Sequence, residues 1–283
     1  MALPLDPNPK FSDFAHPGRL VSPQWLSAQL GSKGLKVVES DEDSLLYNIG
    51  HIPGAVRIDW HNDLNDPVTR DFITPEQFAN LMNEKGIAYD DTVVIYGDKR
   101  NWWASYTLWL FELFGHPDVR LLDGGRDAWM AEERDTSFAV PEYPSANYPV
   151  PTVNEEGRAF VDAVRSAVDK GVLIDARTAE EYAGQPNDHA ASTIRHGHIP
   201  GAKNIPCDAN VMANHYFRSK KELDELYADL DPKAETIAYC HEGERSAHTW
   251  FTLKYLLGFD KVLNYDGAWI EWGNMVRMPI AKD

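Results

Sequence analysis

Six residues, Gly50-His51-Ile52-Pro53-Gly54-Ala55, recur unchanged as Gly197-His198-Ile199-Pro200-Gly201-Ala202, an offset of 147. Two glycines and a proline inside one shared hexapeptide argue against coincidence. Later landmarks repeat at an offset of 143: Tyr96 with Tyr239, Gly115 with Gly258, Asp123-Gly124 with Asp266-Gly267, and Trp129 with Trp272. A period this long is a duplicated domain rather than a solenoid. The shorter second offset means that the second copy has lost residues between the two sets of landmarks.

A chain of 283 residues has room for two such copies, each large enough to bury a core. Pro141, Pro144, Pro149 and Pro151 crowd one short stretch, which is therefore extended and belongs to no helix or strand interior. This places a boundary near Tyr148, with domains at 1–147 and 148–283.

Each copy alternates strand and helix. In the second, a helical stretch over 154–170 precedes the apolar run Val172-Leu173-Ile174-Asp175, and Thr236 to Cys240 forms another strand. Apolar residues at 247, 250, 251, 253, 256 and 257 follow helical spacing, with Gly258 as the stop, before a strand from Lys261 to Asn264. The first copy matches with Val37-Val38, Val93 to Ile95, a helix ending at Gly115, and Val119 to Leu122. Strands separated by helices imply an α/β fold, a parallel sheet flanked by helices on both faces in each copy.

Charge and cysteine content exclude whole classes. With 27 Lys and Arg against 44 Asp and Glu, the net charge of −17 repels nucleic acid and anionic lipid, so neither is an expected partner. Two cysteines make neither a disulfide framework nor a zinc quartet. The first ten residues lack a basic segment followed by an apolar one, and no apolar run reaches 18 residues. The expectation is a cytoplasmic protein with free thiols and no metal or cofactor.

Cys240 ends a strand, and His241-Glu242-Gly243-Glu244-Arg245 leads into a helix near Ser246. Backbone N–H groups of a tight loop at a helix start converge on one point and favour an anion. A sulfur there is expected to have a lowered pKa and to act as a nucleophile, with Gly243 allowing the turn and Arg245 adding positive charge. The equivalent position in the first copy is Gly97, followed by Asp98-Lys99-Arg100-Asn101. One copy therefore keeps the architecture without the thiol.

These residues resemble the rhodanese family, specifically its tandem-domain thiosulfate sulfurtransferases. The resemblance spans nearly the whole chain. It rests on the two Gly-His-Ile-Pro-Gly-Ala motifs, on Asp175-Ala176-Arg177, on Cys240 to Ser246, and on Asp266-Gly267-Ala268-Trp269. It implies two tandem rhodanese-like domains with only the second active. It also implies that Cys240 takes the outer sulfur of thiosulfate, releases sulfite, and passes its persulfide sulfur to cyanide or a thiol. Phosphatases that share the fold use Cys-x5-Arg. The Cys240–Arg245 spacing is Cys-x4-Arg, a shorter loop that suits one sulfur better than a phosphoryl group with three equatorial oxygens. Relatives that prefer thiosulfate have basic loops and those that prefer 3-mercaptopyruvate have small neutral ones. Glu242 and Glu244 depart from both patterns, while Arg245 leans towards thiosulfate. A persulfide carrier or interaction module is the alternative outside catalysis.

The substrate-binding set expected around Cys240 is Arg245, Arg195, His241, Glu242, Gly243, Glu244 and Ser246. Arg195 enters because the resemblance implies an arginine in that region facing the active loop. His241 is assigned an electrostatic role, since a preformed thiolate needs no base. Arg177 is expected to pair with Asp175 or Glu180, His51 and His198 to be structural, Cys207 to be a small core residue, and Trp269 and Trp272 to wall a pocket or pack the core. His248 has too few companions for a metal site with Cys240. On this reading Arg245→Ala weakens anion use far more than folding.

Overall fold

The structure, a computed structural model, describes residues 3–170, 172–185 and 192–282. The chain divides into two compact units. The first comprises Met1–Glu155 with Ala213–Phe217, and the second Glu156–Met212 with Arg218–Asp283.

In the first unit five strands run parallel. They are β1 (Leu20–Val21), β2 (Leu35–Glu39), β3 (Val56–Arg57), β4 (Thr92–Tyr96) and β5 (Val119–Leu122), in the order β1-β5-β4-β2-β3. β4 is central and its five residues are all buried, as expected of a parallel strand covered on both faces. Local chemistry starts the surrounding helices. Ser22 caps Pro23–Gln29 through its hydroxyl on Trp25 N–H, and Thr74 and Gln77 form a reciprocal capping box on Pro75–Glu84. Trp102–Leu113 is apolar on nearly every side because it is buried. Val21, Leu26, Val37, Ile52, Val94 and Trp129 pack together in one core.

In the second unit the strands are β6 (Leu173–Asp175), β7 (Lys203–Asn204), β8 (Glu235–Tyr239) and β9 (Lys261–Tyr265), all parallel in the order β7-β6-β8-β9. Thr178–Glu181 and Ser219–Glu222 supply capping boxes for the helices Ala179–Tyr182 and Lys220–Leu226. Val164, Leu173, Ile199, Tyr239, Trp269 and Trp272 share the core. Both units are thus parallel sheets with helices around them.

Two predicted helices differ in detail. The stretch over 154–170 is helical only at Glu155–Gly157 and Val161–Ala167. Between them Arg158 bridges in parallel to Asn264, and Ala159 N–H bonds Asn264 O at 2.9 Å, so the edge of β9 claims that backbone in extended form. The helix after Cys240 is α-helical over Glu244–Phe251, then continues as a π-helix over Thr252–Leu257. The Thr252 hydroxyl donates back to His248 O at 2.9 Å, a bond that loosens the regular ladder. Gly258 stops the helix with φ +76°.

The repeated hexapeptide is a structural joint in both units. His51 stacks on Tyr47 at 3.8 Å between ring centroids, and His198 on Tyr182 at 3.6 Å. His51 Nδ1 lies 2.9 Å from Tyr47 O and His198 Nδ1 lies 2.8 Å from Tyr182 O. The next residue of each motif donates its backbone N–H to a strand-end tyrosine, Ile52 to Tyr96 at 2.9 Å and Ile199 to Tyr239 at 3.1 Å. Both histidines are occupied in holding the fold.

Candidate active site

Cys240 follows β8 and is fully buried. Gly243 N–H donates to Sγ at 3.0 Å and the Ser246 hydroxyl at 3.4 Å. The loop can close around the sulfur because Gly243 adopts φ +111°, and a Cβ there would come within 3.0 Å of Asp266 Cα. Arg158 holds Asp266 through two bonds of 3.0 and 2.8 Å. From behind, Trp269 and Ile270 N–H groups bind the carbonyls of Cys240 and His241 at 3.0 and 3.1 Å. The loop is therefore fixed on three sides.

The charges around Sγ differ from the expectation of a free thiolate facing a free arginine. The Glu244 carboxylate accepts a hydrogen bond from the thiol at 3.3 Å. Burial, and then the Glu244 charge, push the Cys240 thiol up to about 12, outweighing Arg245 and the Ser246 bonds. Both effects favour the protonated sulfur over the thiolate. Arg245 is buried and already paired. Its two terminal nitrogens reach the two oxygens of Glu181 at 2.6 and 3.1 Å, and its Nε reaches Glu244 at 3.1 Å. Burial opposes the Glu181 charge, yet Arg245 more than compensates and holds that carboxyl down to about 2.

His241 is buried, which lowers its pKa, and its Nε2 lies 2.8 Å from the Ser192 hydroxyl. Glu242 is half-buried in the same loop. A small pocket beside the loop is lined by His241, Arg177, Glu181, Thr193, His196 and Trp269, so Trp269 does wall it. Trp272 instead packs in the core and donates to Pro279 O. Arg177 pairs with Asp175 at 2.5 Å, and its guanidinium lies 4.4 Å from the centroid of the Trp269 ring. Cys207 is buried and its thiol is raised well above its ordinary value, mainly by burial.

Of the predicted set, Arg245, His241, Glu242, Gly243, Glu244 and Ser246 belong to the loop and helix start that carry Cys240. Arg195 does not face them. Its guanidinium donates to the carbonyls of Gly273, Met278, Trp272 and Met275 at 2.5 to 3.0 Å. Four carbonyls at and beyond the end of helix Ala268–Trp272 take up its donors, so Arg195 is a clamp on the C-terminal segment. Glu181 escaped sequence reasoning. Its position three residues after Thr178 marks a helix start, but nothing local signals a partner 64 residues away.

Comparison with known proteins agrees with this architecture. The rhodanese-like domain model matches residues 22–132 and again 160–275. A thiosulfate sulfurtransferase of Corynebacterium glutamicum is 64% identical, over 99% of this chain and 96% of its own. The sulfur carrier protein TtuD of Thermus thermophilus is 49% identical, over 95% and 98%. The crystal structure of SseA from Escherichia coli, described with the 3-mercaptopyruvate sulfotransferases, superposes with a TM-score of 0.76 at 25% identity, over 89% of this chain and 98% of that one. Two family matches that together cover most of the chain, each over a parallel sheet with helices around it, identify the chain as a member of the rhodanese family of sulfurtransferases, with the domain present twice.

Proposed function

We propose that the protein is a thiosulfate sulfurtransferase with Cys240 as its nucleophile. The sulfur of Cys240 bonds to the outer sulfur of thiosulfate, the bond to the sulfonate breaks, and sulfite leaves with the electron pair. The persulfide then gives its terminal sulfur to cyanide or a thiol. Arg245, His241, Gly243, Glu244 and Ser246 form the site, the second unit is the catalytic domain, and the first is a domain without the nucleophile. The observation that carries this reading is the seat of Sγ, which receives donors from Gly243 and Ser246 and can stabilise an anionic sulfur. The name of the Corynebacterium glutamicum relative supports thiosulfate as donor. Two buried free cysteines suit a reducing cytoplasm.

Intact mass after exposure to thiosulfate tests it, beside Cys240→Ser, before and after cyanide. The expected result is one added sulfur atom that depends on Cys240 and is discharged by cyanide. A gain with 3-mercaptopyruvate alone replaces the donor. No gain with either overturns sulfur transfer. A second reading, a persulfide carrier for a partner protein, draws on the full burial of Cys240 and on the name of the Thermus thermophilus relative. It predicts stable loading with negligible turnover on small acceptors.

A further inference from the structure

Glu244 sets a carboxylate against the reacting sulfur. Its Oε2 lies 3.3 Å from Sγ, and both side chains are buried. Its other oxygen receives Arg245 Nε at 3.1 Å, and Arg245 is pinned by Glu181, so the carboxylate is held from behind with one oxygen turned to the thiol. A negative charge so placed has two opposite consequences. As a fixed charge it keeps the proton on sulfur. As an acceptor it removes that proton without recourse to solvent.

We infer that Glu244 is the proton acceptor for Cys240, and that the buried Cys240–Glu244 pair is the reactive unit rather than the thiol alone. The inference rests on Cys240 being the sulfur nucleophile. The Sγ–H bond breaks and the proton passes to Glu244 Oε2, leaving the electron pair on sulfur. That pair bonds to the outer sulfur of thiosulfate while the bond to the sulfonate breaks. The proton then moves from Glu244 to the departing sulfite. The products are a persulfide anion, hydrogensulfite and a carboxylate ready for the next cycle, with total charge unchanged. The same step needs no free arginine, which accounts for a site whose one loop cation is already paired with two carboxylates.

The two consequences of Glu244 predict opposite results for Glu244→Gln, which keeps the shape and the bond to Arg245. The full-length chain and the variant are treated with iodoacetamide, and separately with thiosulfate in single-turnover mixtures. Modification at Cys240 is followed by mass across pH 6 to 9. The proton stays within the pair in the native protein, so both rates are expected to be flat with pH. In the variant the thiol must lose its proton to solvent. Its rates are expected to fall about 100-fold at pH 7 and to climb about tenfold per pH unit. A native rate that climbs with pH, with the variant faster throughout, overturns the inference and leaves Glu244 a fixed charge. If Glu244→Gln does not fold, the native profile alone decides, flat in support or climbing against. Flat alkylation of Cys240 with no sulfur gained from thiosulfate or 3-mercaptopyruvate keeps the proton inference and overturns the transfer reading.

Discussion

The loops after β4 and β8 start from the same scaffold and carry different side chains. In each unit a strand-end tyrosine accepts the motif isoleucine N–H and donates to a carboxylate on the neighbouring strand, Tyr96 to Glu39 and Tyr239 to Asp175. Each carboxylate takes one arginine. Arg177 serves Asp175 from two residues along the same strand end, whereas Arg126 serves Glu39 from the helix Gly125–Ala131. Asp41 stands where Arg177 would be, and Arg126 stands where Trp269 would be. The two copies have exchanged the source of the cation and kept its target. Neutralising a buried carboxylate is therefore a requirement of the fold in both units, and the loop beyond it is free to differ.

That loop has no room for a side chain at position 97 in the first unit. A Cβ at Gly97 would lie 2.2 Å from Ser40 O, so no side chain fits. Lys99, Arg100 and Asn101 follow with φ of +47°, +60° and +68°, a strained run stabilised by Asn101, which accepts Gly97 N–H and donates to Leu122 O. In the second unit the matching residues wrap a sulfur.

The comparison can be broken most forcefully at the buried cation of the Cys240 loop. Arg245→Ala leaves Glu181 and Glu244 buried without their partner, so it is expected to cost about 3–5 kcal/mol of stability in addition to sulfur transfer. This reverses the expectation from sequence that folding would be spared. Denaturant melts check it, with Glu181→Gln in the same chain expected to recover part of the loss. Unchanged stability would mean that the pair is not closed in solution.

A smaller effect is expected from putting the missing thiol into the first copy. Gly97→Cys should create no persulfide at position 97 and should cost about 1–3 kcal/mol, because the strand cannot retreat from Ser40. Mass after thiosulfate in a Cys240→Ser background reads it out. Sulfur gained at position 97 in that background would show that the first loop needs only a thiol.

The smallest effect concerns pH, where the two units differ in sign. Burial raises Asp98 to about 7, and burial with the neighbouring Glu39 raises Asp41. The folded first unit holds protons that the unfolded chain releases above about pH 3.9, so its stability falls as pH rises towards 7 and beyond. Glu181 in the second unit is held down to about 2, and its contribution is lost as pH falls from about 4.3 towards that value. Asp41→Asn keeps an acceptor for Asp98 N–H and removes a titrating group. It is expected to raise the melting temperature at pH 8 and to leave it unchanged at pH 4. Equal melting curves at both values would dismiss the acid cluster as a source of pH sensitivity.

Duplication, the order of strands and helices, and the position of Cys240 were legible in the sequence because each is written among near neighbours. A hexapeptide repeats or does not, apolar spacing sets the element type, and a glycine three residues after a strand-end cysteine marks a tight turn. The missing thiol at Gly97 was legible for the same reason. The bend of the chain at Arg158 was not, because the edge of β9 that extends it lies far along the sequence.

Only the tertiary structure decided what state the candidate site is in. The Cys240 proton, the pairing of Arg245 with Glu181, and the clamp made by Arg195 depend on burial or on partners more than sixty residues away. A loop sequence specifies which charges are present. Whether they are free, paired or silenced is set by how far water is excluded and by which distant groups the fold brings against them.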